Sequence, residues 1–358
     1  MNRTLLRIQI IALITIAFIA FPGLLIAPPE AASNPPGFGK SLEEIAKLAE
    51  KEGRVRIASG LDDEESKKVI QKFNKRYPGI KVDATRVTGA GNEKIFTELM
   101  AGTAGYDAVN IPSELAPRYR KAGLSIGPFD WPMVAQQTPK EHFSPDGYFA
   151  AVGFITYVIA YNPSLVPADK VPKDWKQCLD PYWKGKFVVD TRPKTFTALF
   201  AAWGEKKTID FARQLKENQP VWKRGQSESL NQIASGEHSM MCGSYYQSAL
   251  RIMTRDAKAK LAVVFPLETP GHLTEIWTVV KGAKSPNAAL LISGWLSSRE
   301  GREEYDQLGI GSLFDPASQI AKLIQKAGAK PVSGGWMEDE NIITQKIVAT
   351  WGLSPLKK

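Results

Sequence analysis

Hydrophobic residues along the chain follow two alternating spacings, one typical of helices and the other typical of strands. A helical spacing begins at a Ser41-x-x-Glu44 capping box and ends at Gly53. Residues 54–59 then alternate as in a strand, and residues 60–77 return to the helical spacing. This order predicts strand-helix-strand units, which build a mostly parallel sheet.

The same alternation continues through residues 89–111, where a helix precedes a further strand. Ligands of such sheets bind beyond the carboxyl ends of the strands, where loops meet helix starts. The polar residues at these ends are Ser59, Asp62, Ser113 and Glu114. We therefore take these four residues as candidates for one side of a ligand cleft.

A second group of strands and helices follows an unusually long apolar run. This run covers residues 149–161, with Gly153 as a soft point, and we predict one strand that passes from a first lobe to a second. In the second group, a predicted helix over 195–203 opens with the hydroxyls of Thr195 and Thr197. Residues 331–335 are predicted to join the final helices.

The amino terminus has the pattern of an export signal. Arg3 and Arg7 flank the start of a long apolar stretch, and Ala31-Ala32-Ser33 offers small residues for cleavage. We predict cleavage after Ser33. An uncleaved anchor is the alternative, because the apolar stretch is long enough to span a bilayer.

Charge and cysteine content narrow the function classes. The formal net charge is +9, which suits an anionic ligand, but the lysines are scattered and the tryptophans interleave with no basic stripe, so nucleic-acid binding is not expected. Motifs of zinc proteases and serine hydrolases are absent from the sequence, so no catalysis is expected. Cys178 and Cys242 form either one disulfide or two buried free thiols.

Several segments carry a family resemblance, in order along the chain. They are residues 50–60, 106–109, 161–166 with 172–175, 179–186, and 287–291 with 298–301. These segments are similar to the extracellular solute-binding proteins of ABC importers, above all to the ferric-iron-binding branch. The resemblance implies a two-lobed α/β fold of the type II periplasmic-binding-protein kind. Each lobe would be a mostly parallel sheet flanked by helices, and two crossing strands would join the lobes.

The resemblance also implies an organisation and a function. The signal peptide would cover 1–33, the first lobe 34–155 plus 270–320, and the second lobe 156–269 plus 321–358. The protein would be a periplasmic monomer without enzymatic turnover. It would capture a small solute between the lobes and deliver it to a permease in the inner membrane. A secreted enzyme and a membrane-anchored sensory domain are the alternatives of another class.

The resemblance implies ferric iron as the transported ligand, with no resident cofactor. In the ferric branch a consecutive tyrosine pair after a second-lobe strand supplies two phenolates, and Tyr245 and Tyr246 match that pair. Ferric iron is a hard acid that suits anionic oxygen. Alternatively, one ring lies in the core and the other at the surface.

Other positions depart from the ferric pattern and keep a second ligand class open. The family's first-lobe histidine and glutamate are absent, and only Asp62 and Glu114 lie close by as replacements. The anion-holding arginines of some members are replaced by Ile155 and Tyr157. A small organic or phosphorylated anion is therefore the alternative ligand. Its further candidate contacts are Tyr157, Thr195, Thr197, Tyr245, Tyr246 and His272.

Overall fold

The computed structural model describes residues 35–337 and 340–354. The predicted export signal lies outside the described residues. The strands are β1 (Arg54–Ser59), β2 (Lys81–Arg86), β3 (Ala108–Ile111), β4 (Ala150–Tyr161), β5 (Phe187–Asp190), β6 (Val221–Lys223), β7 (Met240–Tyr245), β8 (Ala262–Val264), β9 (Glu268–Val279) and β10 (Lys330–Ser333). The helices are α1 (Leu42–Glu52), α2 (Asp63–Arg76), α3 (Ala90–Met100), α4 (Ala116–Lys121), α5 (Trp131–Val134), α6 (Lys194–Glu217), α7 (Gln226–Ser235), α8 (Tyr246–Arg255), α9 (Pro286–Ser297), α10 (Arg299–Gln307), α11 (Gln319–Lys326) and α12 (Glu340–Trp351).

The strands of the described residues form one continuous sheet. Their order is β2-β1-β3-β9-β4-β7-β5-β6, with β10 beside β9 and β8 beside β4. Strand β1 is parallel to both of its neighbours, and so is β5. Antiparallel pairs occur where β4 and β9 run through the middle of the sheet. The predicted α/β class with a largely parallel sheet and flanking helices is confirmed.

Strands β4 and β9 connect two halves of the sheet. Residues 150–156 of β4 pair with β9, whereas residues 157–161 pair with β7 and, in part, with β8. We call β1, β2 and β3 with their neighbours in β9 and early β4 the first half, and β5 to β8 with late β4 the second half. The prediction of one long strand is confirmed. At Gly153 a Cβ would lie 2.5 Å from the carbonyl oxygen of Ile310, so only glycine fits.

Apolar helix faces cover both sides of the first half. Ile45 of α1, Phe73 of α2 and Trp295 of α9 are buried in one cluster. Ile95 of α3 and Ile324 of α11 are buried in a second cluster. Helix α11 thus packs on the first half, whereas the sequence assigned residues from 321 onward to the second lobe. The exact lobe boundaries stay a prediction.

The second half has its own core and a covalent link. Phe187 of β5, Phe196 of α6 and Trp351 of α12 belong to one buried cluster. Cys178 and Cys242 are fully buried in it and form a disulfide, which is one of the two alternatives left open by the sequence. The bridge ties the segment before β5 to β7, three residues before Tyr245.

Two predicted elements were wrong in extent or type. Residues 330–333, which overlap the expected linker of residues 331–335, form β10, which pairs in parallel with residues 268–271 of β9. The helix expected over 195–203 continues to Glu217 across a non-helical Gly204. The partner of β10 is distant in sequence, so local spacing could not reveal it. Among the helices of the described residues, none is both long and apolar enough to cross a membrane.

Candidate functional site

The tyrosine pair stands at the junction of β7 and α8. Tyr245 is the last residue of β7 and the N-cap residue of α8, and Tyr246 is the first helical residue. The backbone changes from extended to helical between the two residues, and this change sends the two side chains into different surroundings.

Tyr245 is half-buried among polar and charged groups. It stands directly opposite Tyr157 on the neighbouring strand β4, and the two ring centroids are 5.3 Å apart in an edge-to-face arrangement. Burial raises the pKa of the Tyr245 phenol, while Arg192 and Lys194 lower it, and the net pKa lies above the ordinary value. The phenol is therefore protonated at neutral pH and presents a hydroxyl.

Tyr246 points into an apolar cluster instead. Its side chain is 8% exposed, and its ring centroid lies 5.1 Å from that of Phe265. Burial raises the pKa of this phenol, with a smaller contribution from Asp306. Neither Arg192 nor Lys194 is among the groups that shift this pKa. The structure therefore does not bring the two tyrosines to the same polar surroundings.

Tyr157 and His272 form the floor of the polar region. The Tyr157 hydroxyl lies 2.5 Å from Nδ1 of His272, which is diagonal to it on β9. Burial lowers the pKa of His272 to about 3, helped by Lys194, so the imidazole is neutral. Burial also raises the pKa of Tyr157 well above its ordinary value. A neutral His272 accepts this bond when its proton resides on Nε2.

A hydrogen-bonded frame fixes the position of Arg192. Asp190, at the end of β5, accepts bonds from Nη2 of Arg192 at 2.7 Å and from Nε2 of Gln226 at 2.9 Å. The Oε1 atom of Gln226 accepts the backbone N–H of Tyr245 at 3.0 Å. Asp190 is 4% exposed, so this frame is largely shielded from water. The ends of β5 and β7 are thereby held together beside the Arg192 guanidinium.

Lys194 joins the two halves. Its Nζ lies 2.6 Å from Oε1 of Glu340 and 3.5 Å from Oε2 of Glu114. The Ser113 hydroxyl donates to Oε2 of Glu340 at 3.1 Å. Burial lowers the pKa of Lys194, but Glu340 and Glu114 outweigh burial and leave a raised pKa. Ser113 and Glu114, from the end of β3, are therefore brought to the second half.

The two candidate threonines are engaged within the protein. The Thr195 hydroxyl donates to the carbonyl oxygen of Gly243 at 3.2 Å, and the Thr197 hydroxyl donates to that of Pro193 at 3.0 Å. Both side chains are buried. A Cβ on Gly243 would lie 2.9 Å from Oγ1 of Thr195, so glycine permits this close approach.

Ser59 and Asp62 act on their own loop. The Ser59 hydroxyl accepts the backbone N–H of Leu61 at 3.2 Å. Asp62 is the N-cap residue of α2 and accepts the N–H groups of Glu64 and Glu65. Among the described residues, no hydrogen bond or ion pair joins either side chain to Tyr245 or Lys194.

Three helices of the second half begin without a side-chain cap. They are α6, α7 and α8, which follow β5, β6 and β7. Their N-cap residues are Pro193, Gly225 and Tyr245. Uncapped helix starts leave the positive end of the helix dipole available to an anion, although in α6 the N–H groups of Lys194 and Phe196 already donate to the carbonyl oxygens of Arg192 and Pro193. Strands β6 and β7 are both parallel neighbours of β5, so the starts of the three helices share one edge of the sheet.

Five residues of this site were missed in the sequence. They are Asp190, Arg192, Lys194, Gln226 and Glu340. Asp190-x-Arg192-x-Lys194 directly follows a strand that the spacing predicts, and polar residues at that place were an available signal. Glu340 had no comparable signal, because its position depends on the packing of α12 against α6.

Metal ligation by carboxylates, histidines and cysteines alone is not supported. Within the described residues, no group of three or more such side chains is placed to hold a metal ion. A metal ion here would need the Tyr245 phenolate as a ligand.

The chain matches known proteins by sequence. Residues 58–303 match the model of the family described as bacterial extracellular solute-binding protein. An uncharacterized protein of Haemophilus influenzae is 30% identical over 170 residues, covering 46% of this chain and 48% of the relative. An Fe(3+)-binding periplasmic protein of Serratia marcescens is 24% identical over 207 residues, covering 53% of this chain and 60% of that relative. The chain thus spans about half to three fifths of the length of these relatives.

Solved structures share the fold. Trichodesmium IdiA (FutA) with iron and citrate has a TM-score of 0.68 at 16% identity, covering 83% of this chain and 98% of that one. Mannheimia haemolytica ferric iron-binding protein A, in an open conformation, has a TM-score of 0.68 at 16% identity, covering 83% of this chain and 97% of that one. The Atu4243 GABA receptor has a TM-score of 0.63 at 18% identity, covering 83% of this chain and 97% of that one. At such identities the likeness shows the fold alone, and it confirms the two-lobed type II class.

Proposed function

The chain belongs to the family of bacterial extracellular solute-binding proteins, and we propose that it captures a small organic anion at Tyr245 and Arg192 for delivery to an ABC permease. The observation that carries this ligand class is the separation of the tyrosine pair. Tyr245 lies opposite Tyr157, where Arg192 and Lys194 act to lower its pKa, while Tyr246 packs on Phe265. A paired phenolate site for bare ferric iron needs both rings at one ion.

The charges of the second half support an anion. Arg192 keeps a side chain that is 34% exposed although Asp190 fixes its position, so its remaining N–H groups can reach a carboxylate or a phosphate. The uncapped starts of α6 to α8 add positive potential at the same edge. The protonated Tyr245 hydroxyl donates a further hydrogen bond.

The first half of the sheet would enclose the solute from the other side. Ser113 and Glu114 meet Lys194 and Glu340 across the gap between the halves. An ion pair between the halves favours the arrangement in which they are close together. Closure over the solute would bring Ser113 to it, and the closed form would be the one that the permease recognises.

Ferric iron, with or without an accompanying anion, is the second candidate. It is supported by the Fe(3+)-binding function of the Serratia marcescens relative and by the oxygen donors of Tyr245, Glu114 and Glu340 near one another. Iron would have to displace the phenol proton of Tyr245 and Lys194 from its carboxylate partners. Periplasmic location and export by the amino-terminal signal remain part of the proposal.

A ligand screen on metal-free protein tests the proposal. We expect carboxylate or phosphate monoester anions to raise Tm by several degrees, because binding to the folded state alone adds about 2.7 kcal/mol at a hundredfold excess over Kd. Ferric citrate should give no visible tyrosinate colour. A strong colour that disappears in both Tyr245→Phe and Tyr246→Phe would establish iron ligation by the pair instead.

A further inference from the structure

A cavity lies beside the polar site, on the first-half side. Its volume is about 180 Å³, and we call it the side cavity. Its apolar lining consists mainly of Pro117, Phe149, Leu273, Ile276 and Trp336. An engineered protein cavity of about 150 Å³ accommodates benzene, so the side cavity has room for one six-membered ring.

The charged and hydroxyl groups in the wall of the side cavity already have partners. Nε of Arg120 donates to Oδ2 of Asp146 at 3.0 Å, and its guanidinium stacks 3.6 Å from the ring centroid of Tyr148. The Ser144 hydroxyl donates to Oδ1 of Asp146 at 2.7 Å. Nε1 of Trp336 is buried without a partner, but the charged and hydroxyl groups are satisfied by one another, so the interior demands few hydrogen bonds from an occupant. An apolar group is the occupant that this lining favours.

The side cavity adjoins the polar site through two shared side chains. Ser113 and Glu340 line it, and the same two side chains hold one another and Lys194 at the meeting of the two halves. Lys194 in turn is close enough to lower the pKa of Tyr245. A solute whose anionic group lies at Tyr245 could therefore extend past Ser113 and Glu340 into the apolar space.

We propose that the side cavity is a subsite for an aryl or compact alkyl group of the solute, so that the solute is an amphipathic organic anion. This inference rests on the proposed function, since it assigns the other end of the same ligand. The rings of Phe149 and Trp336 are stacked with centroids 6.1 Å apart, and they offer flat surface to an aromatic ring. Trp336 is partly exposed, so its movement could admit the group.

Matched pairs of anions test the subsite by isothermal titration calorimetry. The pairs are inorganic phosphate with phenyl phosphate, and acetate with phenylacetate. Burial of a phenyl ring should make the aryl member of a pair bind about 10- to 100-fold more tightly. Enhanced quenching of tryptophan fluorescence by the aryl member should be lost in Trp336→Phe.

Two variants and one matched control locate the source of the aryl advantage. Ala116→Leu places a larger side chain in the cavity wall, and it should abolish the advantage of the aryl anion while leaving phosphate or acetate affinity unchanged. Ala122→Leu, at the end of the same helix and outside the cavity lining, is the matched control and should keep the advantage. Trp336→Ala, at a partly exposed position, should reduce the advantage about tenfold without a risk to folding.

The outcomes separate the two proposals. Equal affinities within each pair, or an aryl advantage that survives both Ala116→Leu and Trp336→Ala, would overturn the subsite while the anion site stands. Failure of all four anions to bind would overturn the proposed anion site and the subsite with it. An advantage that Ala116→Leu removes and Ala122→Leu keeps would support the subsite.

Discussion

Asp62 and Tyr245 occupy the same kind of position in the two halves of the molecule, yet their side chains do different things. Asp62 follows β1 and Tyr245 ends β7, both at the carboxyl edge of the sheet, and each is the N-cap residue of the next helix. Asp62 accepts two N–H groups of α2 and completes a capping box with Glu65. Tyr245 makes no capping bond, and its ring turns toward Tyr157.

The difference separates a structural residue, Asp62, from the residue that we propose binds the solute, Tyr245, at equivalent places. A short carboxylate at an N-cap satisfies its own helix, which leaves little for a solute. A phenol cannot fold back in that way, so the start of α8 has no side-chain cap and the Tyr245 ring packs against Tyr157. A polar residue at a strand end is therefore a stronger ligand candidate when the helix after it lacks a side-chain cap.

The largest expected effect concerns the disulfide that holds the end of β7. A double Cys178→Ser, Cys242→Ser variant releases a loop closed over a sequence separation of 64 residues, and chain entropy predicts a loss of about 4 kcal/mol in the free energy of unfolding. Urea denaturation of the variant and of the oxidised protein measures this loss. A change below about 1 kcal/mol would show that β7 is held by packing alone.

The next effect concerns a carboxyl beneath the loop of Asp62. Burial raises the pKa of Glu275 to about 7, and Glu65 adds to this shift. One Glu275 oxygen has no partner, and the other would lie 3.5 Å from a Cβ on Gly60. The folded state therefore holds the proton more tightly than the unfolded state does. The stabilising contribution of the protonated Glu275 carboxyl is complete below pH about 4.5 and is lost as pH rises to about 7.

Glu275→Gln should remove this part of the pH dependence. Each unit of pKa difference corresponds to about 1.4 kcal/mol, so the variant should gain on the order of 2 kcal/mol relative to the parent between pH 5 and pH 8. Unfolding in urea at several pH values measures the gain, with the exposed Glu64→Gln as the control. Parallel pH curves for the parent and Glu275→Gln would contradict the buried carboxyl.

The smallest effect tests Asp62 directly. Asp62→Ala should lower the free energy of unfolding by about 1 kcal/mol through loss of the cap, while Asp62→Asn should retain most of it. Affinity for phenyl phosphate should stay within a factor of two in both variants. A tenfold loss of affinity would place Asp62 on the solute and erase the contrast with Tyr245.

Local patterns predicted much of this fold. The capping box at Ser41 and Glu44, the strand after Gly53 and the long strand β4 all depend on neighbours in sequence, and each was found where the spacing put it. The disulfide and β10 depend on partners far along the chain, so spacing left the first open and missed the second.

The surroundings of the candidate site followed from the sequence only in part. The end of β7 was identifiable, because a tyrosine pair there follows an apolar strand. The direction of the Tyr246 ring depends on contact with Phe265, and the contact of Lys194 with Glu340 depends on how α12 meets α6. Such tertiary contacts have no periodic signature, so they required coordinates.

The most direct test compares Tyr245→Phe with Tyr246→Phe in binding of phenyl phosphate to metal-free protein. Loss of the Tyr245 hydroxyl removes a hydrogen bond to a charged group, so affinity should fall about 10- to 100-fold, whereas Tyr246→Phe should stay within a factor of two. Equal losses in the two variants would contradict the account, because they would place both hydroxyls on one ligand.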